Sequence, residues 1–186
     1  MKYLKKLVGE RIYLSPRNPE DYEVMAKWMN DFAVTDYLIR SHKVISLDNE
    51  KKFLEESQNA EAAFVIVTLD EDKPIGVISL EGIKHVHQIA EAGIAIGEEE
   101  YRSKGYGTEA MKLLLDFAFN YLNLHNVDLK VVDTNERAIK CYKKCGFKEY
   151  GRRSESEYIN GKRYGTVYME ILKEDFKGDY IKNKNL

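Results

Sequence analysis

Residues 102 to 110, RSKGYGTEA, place two glycines beside an arginine and a lysine at the start of a segment with helical periodicity. Apolar residues then recur at the spacing of one helical face from Ala110 to Tyr121, which predicts a helix that begins at about residue 106. The free backbone N–H groups and the dipole at such a helix start attract an anion, and Gly105 and Gly107 let the backbone approach it. The loop is therefore predicted to bind a phosphate or a pyrophosphate.

The glycine pattern has competing interpretations. The segment from Gly105 to Ala110 also matches G-x-G-x-x-A, the fingerprint of dinucleotide-binding folds. Those folds place the glycines directly after a buried parallel strand, whereas residues 98 to 104, EEEYRSK, are polar and charged. No Gly-Lys-Ser/Thr end follows, as a nucleoside-triphosphate loop requires. What remains is an anion-binding loop, against the alternative of a plain helix start with flexible glycines.

Composition narrows the class of protein. The chain has 186 residues, with 29 Lys plus Arg against 31 Asp plus Glu and a formal net charge of -2. This length suits one domain over residues 1–186, and the balanced charge argues against a general nucleic-acid partner. No apolar run approaches the roughly 18 residues of a membrane helix, and the first residues lack the apolar centre of a signal peptide. We expect a cytoplasmic protein without membrane or nucleic-acid partners, whose polar tail, about residues 177–186, frays.

The cysteines and histidines do not form a metal-binding pattern. Cys141 and Cys145 are four residues apart in a helical segment, where they share one face with Tyr142, and we interpret them as reduced core thiols. The four histidines are scattered, and none lies near the cysteines in sequence to complete a zinc set. The sequence predicts no metal.

Periodicity along the chain predicts a mixed α/β architecture of seven strands and about four helices. Strands are predicted at residues 11–16, 62–69, 73–83, 88–97, 127–132, 148–159 and 162–172. Helices are predicted at residues 18–31, 46–58, from about 106, and 135–145. The last two strands flank Asn160-Gly161, a dipeptide typical of a tight hairpin turn.

The loop resembles a known family signature. Arg102-Ser-Lys-Gly105-Tyr-Gly107 is similar to the Gln/Arg-x-x-Gly-x-Gly/Ala motif of the GCN5-related N-acetyltransferases, called GNAT. A second block, NERAIKCYKKCGFKEYGR followed by NGKRYGTVYMEIL, resembles the branch of ribosomal-protein N-terminal acetyltransferases and spermidine acetyltransferases. The resemblance implies acetyl-coenzyme A as cosubstrate. It also implies the GNAT fold, a mostly antiparallel twisted sheet in which two splayed strands hold the pantetheine arm.

The resemblance assigns roles in cofactor binding. The pyrophosphate would lie on the loop formed by Arg102, Ser103, Lys104, Gly105, Tyr106, Gly107 and Thr108. Backbone N–H groups around Ile94, Ala95 and Ile96 would polarise the acetyl carbonyl. Asn135 would both cap a helix and bind the pantetheine amide. Lys144, with Lys143, is a candidate for the 3′-phosphate, against the alternative of solvated surface lysines.

The implied reaction is direct attack of a neutral amine on a thioester, which needs a proton acceptor and a proton donor. An alkyl ammonium with a pKa of about 10.4 must lose a proton, and Glu91 is the first candidate base, with Glu81 the second. The alternative is a solvated or structurally bonded carboxylate. By resemblance, Tyr142 is the acid that protonates the departing thiolate. Its alternative is a packed aromatic whose hydroxyl bonds to the backbone.

Two functions remain open at the level of sequence. The first is an acetyltransferase acting on a primary amine, namely a polyamine, a protein N-terminus, an aminoglycoside or another small amine. The second is a non-catalytic acetyl-coenzyme A-binding or regulatory module with the same fold. The helices around Trp28, Tyr37 and Phe53 are expected to shape the choice of amine, and we expect a monomer or a homodimer.

Overall fold

The computed structural model describes residues 2–184, apart from the side chain of Gln58. The strands are β1 Leu7–Val8, β2 Ile12–Pro16, β3 Ala63–Thr68, β4 Pro74–Lys84, β5 Ile89–Ile96, β6 Asn126–Val132, β7 Lys148–Ile159 and β8 Lys162–Leu172. The α-helices are α1 Tyr22–Met29, α2 Phe32–Thr35, α3 Leu47–Glu56, α4 Tyr106–Asn120 and α5 Glu136–Lys144. Within this described range, no helix is both long and apolar enough to cross a membrane.

All eight strands form one sheet in the order β1-β2-β3-β4-β5-β6-β8-β7. Every neighbouring pair is antiparallel except β5 and β6, which are parallel. The predicted mostly antiparallel α/β fold is confirmed, but the predicted counts of seven strands and four helices are too low. The additional elements are β1, with two residues, and α2, with four, and both are too short to show a periodicity in the sequence.

Strand alternation places a hydrophobic layer on each face of the sheet. On β3, Phe64 belongs to the larger core cluster, which includes Leu114 of α4. The next residue, Val65, belongs to the smaller cluster, with Trp28 of α1 and Leu54 of α3. Successive strand side chains point to opposite faces, so α4 covers one face while α1 and α3 cover the other.

The central strands separate soon after they meet. β5 and β6 pair only at Ile89 with Asn126, Ala90 with Val127 and Glu91 with Asp128. Both strands continue beyond these pairs, to Ile96 and Val132 respectively. The result is the splayed pair that the family resemblance implied, with its open end at the carboxyl ends of the two strands.

The hairpin of β7 and β8 turns where the sequence indicated. Ile159 pairs with Lys162 across the two-residue turn. Asn160 and Gly161 have φ values of 47° and 75°, the positive angles that a type I′ turn requires. The predicted turn is confirmed.

The C-terminal tail is docked, so the expectation that it frays is wrong for residues 180–184; residues 185 and 186 lie outside the described range. The fully buried carboxylate of Asp116 on α4 accepts the backbone N–H groups of Tyr180 at 2.7 Å and Ile181 at 3.0 Å. Lys184 Nζ lies 2.9 Å from the same carboxylate, and the Ile181 side chain joins the larger core. The polar sequence of the tail does not indicate these contacts, because the Asp116 acceptor lies 64 or more residues away from the donors.

The Asp116 anchor makes stability depend on pH. Burial is the strongest influence on Asp116 and opposes its ionisation. Hydrogen bonds from Asn120, Lys184 and the two backbone N–H groups outweigh it, so the pKa of Asp116 lies below its ordinary value of 3.8. A lowered folded-state pKa stabilises the protein above that ordinary value, and the stabilisation is lost as the pH falls through the folded-state pKa.

We predict that Asp116→Asn lowers the free energy of unfolding at pH 7 by about 2 kcal/mol, because a charged acceptor of several hydrogen bonds is lost. Denaturant titration gives this value, and the difference from wild type should shrink as the pH falls below 3.8. Asp179→Asn is the matched control. Asp179 pairs with the same lysine but is 82% exposed, so its loss should change stability little. Equal effects of the two substitutions would contradict the anchoring role of Asp116.

Candidate active site

A cleft of about 1390 Å³ runs along the splayed strands. It is lined by the separated ends of β5 and β6, by the loop before α4, by one side of α5, and by residues around α2 and α3. Most of the predicted site residues meet here. They are Glu81, Glu91, Ile94, Ala95, Ile96, Arg102, Ser103, Gly105, Gly107, Thr108, Asn135, Tyr142 and Lys144.

The loop before α4 presents free backbone donors. Ser103 and Gly105 have φ values of 61° and 89°, which turn the chain sharply into the helix. The first helical hydrogen bond runs from the Glu109 N–H to the Gly105 carbonyl, at 3.0 Å, and no side chain caps the helix. The N–H groups of Tyr106, Gly107 and Thr108 precede that bond and have no acceptor within the helix. This arrangement suits an anion.

The two glycines of the loop have different requirements. A Cβ at Gly105 would be strained by the positive φ and would lie 3.2 Å from Arg11 Nη2. A Cβ at Gly107 would lie 3.8 Å from the nearest atoms of Ile94 and Ile96, an ordinary contact distance. The fold therefore has room for a small side chain at Gly107, and the absence of one leaves space on the cleft.

Arg102 is held by backbone carbonyls at the end of β5. Its Nε donates to the Ile96 carbonyl at 3.1 Å, and its Nη2 donates to the Gly97 carbonyl at 2.7 Å. The guanidinium also lies 3.9 Å from Asp31, and the side chain is only 11% exposed. Arg102 thus fixes the loop beside the splayed strand, a role that its sequence motif did not indicate.

Two residues of the predicted cofactor loop do not line the cleft. Tyr106 lies under the guanidinium of Arg11, whose carbon is 4.3 Å from the ring centroid, and the Lys104 carbonyl accepts from the same guanidinium at 3.1 Å. Arg11 also pairs with Glu109 at 3.0 Å. These contacts attach the first turn of α4 to the start of β2.

Trp28 differs from Tyr37 and Phe53, because its side chain belongs to the core and does not line the cleft. It is 2% exposed, packs on Gly97 and donates from Nε1 to Glu98 at 2.8 Å. Tyr37 and Phe53 do line the cleft. Sequence type alone could not separate these aromatic residues, because which face of its element each occupies depends on tertiary packing.

One side of α5 is basic and faces the cleft. Asn135 caps the helix by accepting the Ala138 N–H at 3.1 Å, as expected. Arg137, Lys140 and Lys144 line the cleft, whereas Lys143 does not. The spacing of Arg137, Lys140 and Lys144 places all three along one side of the helix, so the sequence itself carries a signal for this basic side.

Tyr142 combines a buried ring with a hydroxyl at the cleft. The residue is 8% exposed, and its ring makes an edge contact with Phe147 at 5.9 Å between centroids. Burial raises the pKa of Tyr142, so the phenol keeps its proton at neutral pH. Among residues 2–184 the hydroxyl forms no hydrogen bond, so the backbone bond required by the packed-aromatic alternative is not found there.

The two cysteines lie next to this tyrosine as free thiols. Cys145 is buried in the core, as predicted, whereas Cys141 is partly exposed and lines the cleft. The Cys141 sulfur lies 3.2 Å from the Thr108 hydroxyl, which joins α5 to the first turn of α4. Hydrogen bonds from Cys145 and Thr108 lower the pKa of Cys141.

Glu81 and Glu91 face each other across β4 and β5. They are paired in register, and both line the cleft. The Glu91 carboxylate is 42% exposed and lies 3.1 Å from Lys130 Nζ on β6. Glu81 accepts a long hydrogen bond of 3.4 Å from Ser79 and has no ion pair within the described part of the chain. The candidate base therefore has a charged partner, and the second carboxylate does not.

The site and the fold define a class of protein. A family model for the acetyltransferase (GNAT) domain matches residues 11–148. The chain therefore belongs to the GNAT acetyltransferases, a family of acyltransferases.

Individual relatives narrow the resemblance. The spermidine N(1)-acetyltransferase of Vibrio cholerae is 35% identical over 118 residues, which span 63% of this chain and 67% of that protein. A putative ribosomal N-acetyltransferase of Bacillus subtilis, YdaF, is 33% identical over 104 residues, 56% of each chain. A crystal structure of the spermidine N-acetyltransferase from Vibrio cholerae in complex with CoA and spermine has a TM-score of 0.82 at 27% identity, covering 89% of this chain and 97% of that one. The sequence alignments thus span about half to two thirds of these relatives.

We predict that Gly107→Val weakens binding of acetyl-coenzyme A at least tenfold, or about 1.4 kcal/mol. A branched side chain there would occupy the space through which an anion reaches the free N–H groups of α4. Titration calorimetry measures the affinity, and the melting temperature should stay near that of wild type because a Cβ is accommodated. Gly151→Val is the control, since a Cβ at Gly151 meets no atom within 4 Å and the residue lies outside the cleft. Wild-type affinity in Gly107→Val would refute the assignment of the loop.

Proposed function

We propose that this protein is an acetyl-coenzyme A-dependent N-acetyltransferase that transfers the acetyl group to a primary amine by direct attack in a ternary complex. The observation that carries this proposal is the meeting of three groups in one cleft. These groups are the free N–H donors of α4, the Tyr142 hydroxyl, and the carboxylates of Glu81 and Glu91. The relative from Vibrio cholerae whose crystal structure contains CoA and spermine supports the use of a coenzyme A thioester and an amine.

The proposed cosubstrate position follows from the shape and charge of the cleft. The pyrophosphate would lie on the N–H groups of Gly107 and Thr108, which line the cleft where the helix dipole and free donors coincide. The gap between β5 and β6 would take the pantetheine arm, with the side-chain amide of Asn135 beside it. The cationic side of α5, formed by Arg137, Lys140 and Lys144, would attract the 3′-phosphate.

The chemistry requires proton transfer at both the amine and the departing thiolate. The ammonium form of the amine gives a proton to a carboxylate, and the neutral nitrogen then attacks the thioester carbonyl to form the C–N bond. As the C–S bond breaks, Tyr142 supplies a proton to the thiolate, and the second proton that the nitrogen loses on becoming an amide restores the phenol. Backbone N–H groups around Ile94, Ala95 and Ile96 are proposed to stabilise the charge on the carbonyl oxygen.

We retain Glu91 as the proposed base and Glu81 as the second candidate. Lys130 compensates the charge of Glu91, and an incoming ammonium would share that carboxylate with the lysine. The lack of an ion pair at Glu81 among the described residues is the observation that favours the second candidate.

A non-catalytic acetyl-coenzyme A-binding module is the other candidate function. A thiol-release assay separates the two. The enzyme forms free coenzyme A from acetyl-coenzyme A when amines such as spermidine, an aminoglycoside, or peptides with free Ser, Ala or Met termini are added. A rise in melting temperature with acetyl-coenzyme A, without thiol release across the whole panel, would favour the module.

We predict that Tyr142→Phe keeps the affinity for acetyl-coenzyme A but lowers kcat by about 10- to 1000-fold, since only the proton donor is lost. The ring and its contact with Phe147 remain, so the fold should be unchanged. Calorimetry and steady-state kinetics check the two parts. Unchanged kcat, with chemistry shown to limit the rate, would make Tyr142 a packing residue only.

We predict that Glu91→Gln lowers kcat/KM by about 100- to 10000-fold and removes the carboxylate-dependent fall in rate at low pH, leaving only the rise due to the amine. Glu81→Gln is the matched comparison because the two residues face each other in register. The rate profiles against pH must use one amine throughout. If Glu81→Gln shows the larger loss and Glu91→Gln keeps the low-pH step, the base is Glu81.

A further inference from the structure

Arg17 lies in the part of the cleft lined by residues of β4, β5 and α3, which we call the acceptor region. Its cationic group has no direct partner among the described residues. Arg17 follows β2 directly, and its Nε atom is buried without a hydrogen-bond partner. Within residues 2–184 its guanidinium makes no ion pair within 4.0 Å, and its terminal nitrogens donate to no residue. Arg17 as a whole is half-buried. Buried polar atoms are normally hydrogen-bonded, so its buried Nε requires an explanation.

The carboxylates of Glu81 and Glu50 attract the guanidinium of Arg17, but among the described residues neither forms a direct ion pair with it. The guanidinium carbon lies 5.5 Å from the centroid of the Phe53 ring, a contact that orients the planar fork without using its N–H donors. Glu50 is buried, and it also lines the cleft. Burial raises the pKa of Glu50 more than the attraction of Arg17 and Arg40 lowers it, consistent with the lack of a direct pair among the described residues.

The charges around Arg17 indicate what it can bind. Lys130 and Glu91 are paired with each other. Arg17, Arg40 and Lys43 then line this part of the cleft against the carboxylates of Glu50 and Glu81. The acceptor region has no surplus of negative charge for a molecule that carries only cationic groups.

We propose that the amine acceptor carries an anionic oxygen group, a carboxylate or a phosphate, which Arg17 binds while the amine lies toward Glu81 and Glu91. A guanidinium offers parallel N–H donors that match a carboxylate or a phosphate in a two-bond arrangement. Such an acceptor supplies the missing partner of Arg17. A polyamine supplies only donors and places like charge beside the guanidinium.

This proposal rests on the proposed acetyltransferase function and narrows its substrate class. The test uses matched amines: common L-amino acids against their amides, and O-phosphoethanolamine against ethanolamine, with spermidine as the purely cationic amine. Thiol release gives kcat/KM for wild type, Arg17→Gln and Arg17→Lys. Arg152→Gln is the control, because Arg152 is exposed, pairs with Glu149 and lies outside the cleft.

Wild type should prefer L-amino acids over their amides, or O-phosphoethanolamine over ethanolamine. A preference in the first comparison identifies a carboxylate, and a preference in the second identifies a phosphate. Arg17→Gln should lower kcat/KM for the preferred acceptor by roughly 10- to 100-fold, the scale of a lost charge-assisted hydrogen bond, and Arg17→Lys should recover part of it. For the matched amine that lacks the oxyanion, kcat/KM should change less than threefold. General unfolding would lower both values and would not produce this difference. The proposal would be overturned if wild type preferred spermidine or the amines that lack an oxyanion. It would also be overturned if Arg17→Gln lowered kcat/KM equally for both members of a pair.

A binding measurement separates this proposal from the proposed reaction. Calorimetry with coenzyme A and the acetylated products, N-acetyl-L-amino acids and N-acetyl-O-phosphoethanolamine, requires no turnover. Binding that depends on Arg17, without thiol release from any amine, would support the oxyanion site and contradict the acetyltransferase. Turnover of amines without any effect of Arg17→Gln would retain the enzyme and reject the oxyanion site. Neither binding nor turnover would reject both.

Discussion

The separation of β5 from β6 is the constraint on which the rest of the structure depends. Two parallel strands that pair for only three residue positions leave the backbone groups beyond Glu91 without a ladder partner on that side. Buried backbone groups need partners, so the open end must be supported from elsewhere. Arg102 supplies two donors to the carbonyls of Ile96 and Gly97, and Trp28 packs on Gly97. The gap is thus held by specific contacts.

The two helices on one face of the sheet are coupled to this gap and to each other. The first turn of α4 is attached to β2 through Arg11 and Glu109, and it meets α5 where Thr108 lies against Cys141. Tyr142 is next to that contact, with its ring in the core and its hydroxyl at the cleft. The helix start that we propose for anion binding and the proposed proton donor are therefore held next to each other, an arrangement suited to catalysis by placement.

The charges along the cleft are unevenly distributed. The side formed by α5 carries Arg137, Lys140 and Lys144 and suits a phosphorylated cosubstrate, whereas the acceptor region mixes arginines with Glu50 and Glu81. This mixture is why membership of a family that includes spermidine acetyltransferases does not by itself decide the acceptor. The residues proposed to bind the cosubstrate lie mostly in two short segments, the loop before α4 and α5. The acceptor region is instead assembled from α3, β4, β5 and the residue after β2.

The sequence by itself determined the features that depend on local spacing. Glycines before an apolar helical stripe predicted the start of α4, Asn135 predicted a helix cap, and Asn160-Gly161 predicted a turn, because each depends on backbone angles within a few residues. Only the tertiary structure decided which side chains serve the site and which serve the fold. It turned Arg102 toward strand carbonyls, buried Trp28, docked the tail on Asp116 and left Arg17 unpaired within the described residues. These outcomes depend on atoms distant in sequence, and no local pattern records which distant group a side chain will meet.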